Sequence, residues 1–227
     1  MRGSLVSPET RARVRGAMTP IALAFGKAGL TPNALTLIGF GIAILAGLAA
    51  AGQSWLLAGL LVVFGGVFDL FDGALARATG KASRLGAFMD SVFDRWGEGV
   101  VYIGIGVGCV AATFDAGVFL TTTAVVSAFM VSYARAKSES EGFTPGKGMA
   151  NVGLAPREIR IVILTVGLIV TALMGGISAP DPTAGGDWFG GRPALAITLG
   201  LITVLATITV IQRIVHVTRQ PLPEEHQ

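Results

Sequence analysis

Long apolar runs separated by short polar breaks dominate the chain, and their lengths predict helices that cross a membrane. A helix rising about 1.5 Å per residue needs roughly 20 residues to cover a hydrocarbon core about 30 Å thick. Six stretches approach or exceed that length: Asn33 to Ala51, Trp55 to Ala78, Leu85 to Thr113, Val118 to Ser140, Ala155 to Ile177 and Ala194 to Val217. None has the short alternating pattern of a barrel strand, and backbone polar groups in lipid must be satisfied internally, so helices are expected throughout. Ahead of them, Arg11 to Leu30 mixes Arg11, Arg13 and Arg15 with Val14, Met18, Ile21, Leu23 and Phe25. That mixture suits an amphipathic helix lying among anionic headgroups. Thr31-Pro32-Asn33 interrupts it, with Pro32 suited to the first turn of a new helix.

The expected fold class is therefore all-α: a polytopic membrane protein of six transmembrane helices preceded by an N-terminal amphipathic juxtamembrane helix. Residues 1–30 form the N-terminal segment, 31–219 the six-helix membrane domain and 220–227 a polar tail. Ser178 to Pro193, rich in Pro, Gly and Asp, reads as an exposed loop, and no internal repeat recurs at a fixed period. No short apolar core with a small-residue cleavage site opens the chain, so the first spans should direct insertion themselves.

Composition agrees with this pattern: 52% of residues are hydrophobic and only 14% charged, too apolar for an ordinary soluble domain. The 32 glycines suit close helix contacts in lipid, where small residues let backbones approach. The single cysteine, Cys109, lies in an apolar run and excludes a disulfide framework or a Cys-based metal site. Basic residues flank the spans instead of forming one patch with interleaved aromatics, which argues against nucleic acid. With the N-terminus inside, the cytoplasmic side receives Arg77, Lys81, Arg84, Arg135, Lys137, Lys147, Arg157, Arg160, Arg213 and Arg219, and the other side only Arg192. This asymmetry predicts a multi-pass protein of the cell membrane with both termini cytoplasmic.

Four aspartates stand inside this apolar chain, in Val67 to Gly99. Asp69 and Asp72 are three apart and share a helix face, as do Asp90 and Asp94, four apart. A turn at Thr79 to Ser83 lets the two pairs converge near the cytoplasmic end of their helices. An ionised side chain at membrane depth costs at least a few kcal/mol, so a cation should compensate the cluster. Arg77 and Arg84 can neutralise at most two of the four acids. Oxygen donors with no nearby histidine suit Mg²⁺, or Mn²⁺, better than zinc or copper.

The spacing runs Asp69, two residues, Asp72-Gly73, two residues, Ala76-Arg77, eight residues, Gly86, three residues, Asp90, three residues, Asp94. It resembles the signature of the CDP-alcohol phosphotransferases, membrane enzymes that displace CMP from a CDP-linked lipid with a second alcohol. The resemblance implies CDP-diacylglycerol as donor, metal ligation by Asp69, Asp72, Asp90 and Asp94, and Asp94 as general base. It implies contacts to the CDP-lipid from Pro32, Asn33, Ala34, Leu35, Gly73, Arg77, Ser83 and Gly86. Arg95 is expected to point away from Asp94, and Glu98 lies outside the signature.

A wider resemblance rests on SYARAKSE at Ser132 to Glu139, GLAPREIR at Gly153 to Arg160 and IQR at Ile211 to Arg213. These segments are similar to those of phosphatidylinositol phosphate synthases and their archaeal relatives. That resemblance implies inositol phosphate as acceptor and a cationic pocket of Arg135, Lys137, Arg157, Arg160 and Arg213. Two departures stand against it: Arg135 precedes Lys137 where Lys then Arg is expected, and Pro156 and Ile159 replace two glutamates. Glycerol 3-phosphate is the alternative acceptor. Outside the family, a cation transporter would need a second acidic cluster across the membrane, and a non-enzymatic scaffold would not need Asp94. A homodimer is compatible with the glycine-rich helices, whose periodicity identifies no interface.

Overall fold

The computed structural model describes residues 8–143, 152–178 and 190–220, with side chains in the first helix from Met18 onward. Lys147, the polar termini before residue 8 and after residue 220, and most of the loop expected at Ser178 to Pro193 lie outside the described residues. Among the described residues seven helices follow one another: α1 (Pro8–Lys27), α2 (Pro32–Ala51), α3 (Trp55–Ala78), α4 (Arg84–Ala111), α5 (Asp115–Ser140), α6 (Arg157–Leu173) and α7 (Arg192–Thr218). Among the described residues there is no strand.

Four of these helices, α2, α3, α5 and α7, are both long and apolar enough to cross a membrane. The other two expected spans differ for separate reasons. Helix α4 has 28 residues, but Arg84, Asp90, Asp94, Arg95 and Glu98 all fall between its start and Glu98. Helix α6 has only 17 residues, because the chain turns through Gly175 and Gly176 where the apolar pattern suggested continuation to Ile177.

The chain divides into two compact units, one ending at Gly108 and the other beginning at Cys109, within the last turn of α4. In the first unit, α3 packs against both α1 and α2. Ala22, Leu35, Phe71, Ala74 and Leu75 form its buried core, with Met18, Phe25 and Leu30 packed against it. Met18, Ala22 and Phe25 recur at the three- and four-residue spacing that makes one helix face, and this face packs on the core. Helix α1 packs on α3, while Ile21 and Leu23 stay exposed. Phe25 sits 5.4 Å from Phe71 and 5.9 Å from Phe68, ring centroid to centroid. Such pairs contribute about 0.5–1.5 kcal/mol each beyond burial. Thr31 caps α2 by accepting a hydrogen bond from Ala34 N at 3.2 Å, and Pro32 opens the first turn.

Helices α2 and α4 touch backbone to backbone. A Cβ at Gly47 would stand 2.7 Å from Val100 O, and one at Gly104 would collide with the Gly47 backbone. In the second unit, α7 packs against α5 and α6. Thr123 and Thr203 hydroxyls lie 3.4 Å apart across α5 and α7, with Ser127 and Thr207 at 3.3 Å. Arg192 closes one end of this unit: Nη2 donates to Ala112 O at 2.7 Å and Nε to Ile177 O at 3.0 Å. Its guanidinium lies 5.4 Å from the Phe114 ring centroid.

Gly104→Leu should separate α2 from α4, and overpacking of this kind costs about 1–3 kcal/mol or more. Thermal melting in detergent should show a lowered midpoint, whereas leucine at Gly41, which has open space around its Cβ position, should leave it nearly unchanged.

Candidate active site

The four aspartates lie on α3 and α4 of the first unit, and each has a distinct setting. Asp72 is only 4% exposed. Thr36 Oγ1 lies 2.7 Å from Asp72 Oδ2 and 3.2 Å from Pro32 O, and its single proton is best given to the nearer, charged acceptor. The other carboxylate oxygen accepts from the Gly73 amide. Asp69 is half-buried one turn back, and its Oδ1 lies 3.1 Å from where a Cβ on Gly39 would sit. Thr36 and Gly39 are thus three apart on α2, facing Asp72 and Asp69, three apart on α3. The hydroxyl holds one acid, and the missing side chain makes room for the other.

On α4, Asp90 is half-buried, and the Asp94 side chain is 14% exposed. Arg95 does not point away from Asp94 as expected: Nη2 lies 3.7 Å from Asp94 Oδ2, and Nη1 lies 3.7 Å from Glu98 Oε2. The long arginine side chain reaches one acid beside it and another a turn further on. Glu98, outside the signature, is consequently part of the charged row and only 8% exposed. Asp69 and Asp90 are within electrostatic reach of the Asp72 carboxylate. The donor set is oxygen-only and suits a hard divalent ion in kind. Among the described residues, no three His, Cys, Asp or Glu side chains are gathered into a ready ion-binding cluster.

The other signature positions surround the α3–α4 turn. A Cβ at Gly73 would meet Arg77 Nη1 at 3.2 Å, so the glycine lets the guanidinium fold back along α3. Ser83 caps α4, its Oγ accepting from Gly86 N at 3.0 Å. A Cβ at Gly86 would stand 3.1 Å from that Oγ and 3.4 Å from Asn33 Oδ1, which brings the start of α2 to the start of α4. Pro32 and Ala34 belong to the capped first turn of α2, and Leu35 is fully buried in the core.

The cations expected to hold an acceptor phosphate all lie in the second unit. Arg135 Nε donates to Glu139 Oε1 at 2.8 Å on the exposed face of α5. Lys137 likewise pairs with Glu141; its hydrogen bond and charge hold the Glu141 carboxyl below its ordinary value. Arg157 is half-buried at the start of α6. Arg160 and Arg213 are 1% and 4% exposed. Arg160 Nη1 donates to Ala155 O at 3.1 Å, Arg213 Nε to Val152 O at 3.1 Å, and Arg213 Nη1 to Val131 O. Thr209 completes this clamp by accepting from Leu154 N and Ala155 N at 3.0 and 2.9 Å. The structure thus gives Arg160 and Arg213 a share in holding the segment before α6.

Thr36, Gly39 and Thr209 escaped the sequence reading. A threonine in an apolar helix ordinarily bonds its own preceding turn; only matching its face to a neighbouring helix reveals another partner. For Thr36 and Gly39 the usable signal was their three-residue spacing opposite that of Asp69 and Asp72.

Apolar helices thus carry acidic side chains beside a turn lined by small residues. The chain belongs to the CDP-alcohol phosphatidyltransferase family, whose match spans residues 29–217. Among curated relatives, the archaetidylinositol phosphate synthase of Pyrococcus horikoshii is 36% identical over 167 residues, covering 74% of this chain and 84% of that protein. The phosphatidylinositol phosphate synthase of Cutibacterium acnes is 34% identical over 210 residues, covering 89% and 92%. The crystal structure of the Mycobacterium tuberculosis phosphatidylinositol phosphate synthase with CDP-DAG bound aligns with a TM-score of 0.76 at 27% identity, over 92% of this chain and 98% of that one. The same enzyme in complex with manganese and citrate aligns with a TM-score of 0.76.

Thr36→Val keeps the shape of the side chain but removes the hydrogen bond to Asp72. A hydrogen bond to a charged group contributes about 1.5–3 kcal/mol. Thermal melting should show a loss of that order, with reduced CMP release, while Thr36→Ser should restore most of both.

Proposed function

We propose that this chain transfers the phosphatidyl group of CDP-diacylglycerol to a hydroxyl of inositol phosphate, releasing CMP and forming phosphatidylinositol phosphate. The observation carrying this reading is that a bacterial and an archaeal relative, each matched over most of its length, are both named for an inositol phosphate product. The acceptor oxygen attacks the phosphorus that bears the diacylglycerol, the bond to the CMP oxygen breaks, and the acceptor proton passes to Asp94. A hydroxyl near neutral pH is a poor nucleophile until that proton is removed during attack. Asp69, Asp72 and Asp90, with Asp94, would hold a divalent ion, manganese or magnesium. The ion when bound supplies positive charge to the pyrophosphate and the departing CMP. Thr36 and the Gly73 amide orient Asp72 for this task, and Arg95 restrains Asp94.

Gly73, Arg77, Ser83 and Gly86, with the first turn of α2 from Pro32 to Leu35, receive the CDP portion. Arg135, Lys137, Arg157, Arg160 and Arg213 receive the acceptor phosphate, with Arg157 the leading contact. Arginine suits the task through its fork of donors. In this reading α4 and α6 also cross the bilayer, giving six spans in a membrane domain of residues 31–219. Both termini and the aspartates then face the cytoplasm, in accord with the distribution of Lys and Arg. The charges of α4 occupy its interfacial half, and α6 is short enough to lie nearly upright or in a locally thinned bilayer.

Glycerol 3-phosphate is the second reading, since it too presents a phosphate to cations. Each acceptor, supplied with CDP-diacylglycerol and Mg²⁺ or Mn²⁺, should be compared by CMP release; product from glycerol 3-phosphate alone would defeat the inositol assignment. Asp69→Asn, Asp72→Asn and Asp90→Asn should each severely reduce metal-dependent turnover in protein that still melts cooperatively. Near-normal activity in any of them removes that residue from the ligand set.

Arg157→Ala should raise the apparent KM for inositol phosphate about tenfold to a hundredfold, the equivalent of a charge-assisted hydrogen bond. The apparent KM for CDP-diacylglycerol should hardly change. Steady-state kinetics with each substrate varied in turn measures this asymmetry, and equal changes in both constants would leave Arg157 as a topology charge.

A further inference from the structure

We propose that a cavity between the C-terminal ends of α1 and α3 binds the headgroup of an anionic phospholipid, with Lys27 and Lys81 meeting its phosphate. The cavity measures about 200 Å³ and is open to the surface. Leu23, Leu30 and Leu75 give it an apolar wall, and Lys27, Thr79 and Lys81 a polar one.

Both lysines are set there by helix ends. Helix α1 ends at Lys27, with Gly29 at φ 87° and Leu30 N bonded to Phe25 O at 3.1 Å. Helix α3 ends in the same way, with Gly80 at φ 67° and Lys81 N bonded to Ala76 O at 3.0 Å. These left-handed glycine turns fix the direction of each chain as it leaves its helix. The close approach of α1 to α3 fixes the spacing between the two ends: a Cβ on Gly26 would stand 2.8 Å from Leu75 Cδ1.

No acidic residue lines the cavity, and neither lysine has an ion-pair partner among the described residues. Two cationic side chains lining one cavity suit an anion entering between them. The cavity shares Pro32 with the first turn of α2 but includes none of Gly73, Arg77, Ser83 and Gly86. At about 100° per residue, Leu75 and Thr79 point from the opposite side of α3 to Gly73 and Arg77.

The leucine wall decides between a lipid and a free phosphate. An inorganic ion would leave Leu23 and Leu30 against water, whereas a phospholipid covers them with its glycerol and upper acyl carbons while presenting phosphate to the lysines. A net negative headgroup is favoured over a zwitterionic one, because no acid is present to receive a choline or ethanolamine cation. The inference does not depend on the identity of the acceptor alcohol.

Full-length protein in phosphatidylcholine nanodiscs, titrated with phosphatidylglycerol and released for native mass spectrometry, tests the site. Wild type should retain phosphatidylglycerol, and Lys27→Ala/Lys81→Ala should retain it about thirtyfold less, the combined effect of two interfacial cations. Lys27→Arg/Lys81→Arg should keep most of the retention. Melting curves check folding; if the double alanine variant unfolds, Lys27→Gln on its exposed lysine should show about a fivefold loss. Equal retention by a folded alanine or glutamine variant overturns the proposal, as does equal retention of phosphatidylcholine. Displacement by millimolar inorganic phosphate overturns the lipid assignment.

Discussion

Carboxylates placed in helices that are otherwise apolar constrain everything around them. Bringing such a group to membrane depth costs at least a few kcal/mol unless charge or hydrogen bonds answer it. Asp72 is answered by the Thr36 hydroxyl and the Gly73 amide. Asp94 and Glu98 are answered by Arg95, which lies between them along α4. Thr36 and Gly73 come from the same few turns that pack α2 against α3, so the hydrophobic packing of these helices also positions Asp72. Thr36 sits one residue after the fully buried Leu35, and a shift of α2 along α3 would disturb both core and acid.

The second unit uses charge differently. Arg213 and Arg160 are buried, and each donates to backbone carbonyls, just before α6 and, for Arg213, also on α5. A carbonyl without a partner in an apolar surrounding is costly, and a guanidinium with its five donors can satisfy several at once. Arg192 does the same at the ends of α4 and α6, and its placement against Phe114 covers the cation with a ring face. A basic residue that the topology argument counts only as charge is therefore also a structural fastener.

Close helix contacts make these arrangements possible. Gly47 and Gly104 let α2 and α4 meet at their backbones, and Gly39 leaves the space occupied by Asp69. The glycines that the composition assigned to packing thus divide into two sets. Some bring helices together, while others clear room for a charged side chain.

Hydrophobic run length, together with caps and turn residues, placed most helix ends, although α6 stops four residues short of the expected Ile177. The expected second span, Trp55 to Ala78, coincides with α3, and the first differs from α2 by one residue, because caps and turn glycines are local signals. The spacing of the aspartates and glycines carried the resemblance to the family, and the three- and four-residue intervals put each pair of acids on one face in any helix. Tertiary structure decided what those residues touch. It turned Arg95 toward Asp94, joined Thr36 to Asp72, drew Glu98 into the charged row and gave Arg160 and Arg213 to backbone carbonyls. Periodicity carries a residue's face but not its neighbour on another helix, because helix register depends on side-chain packing summed over the whole contact.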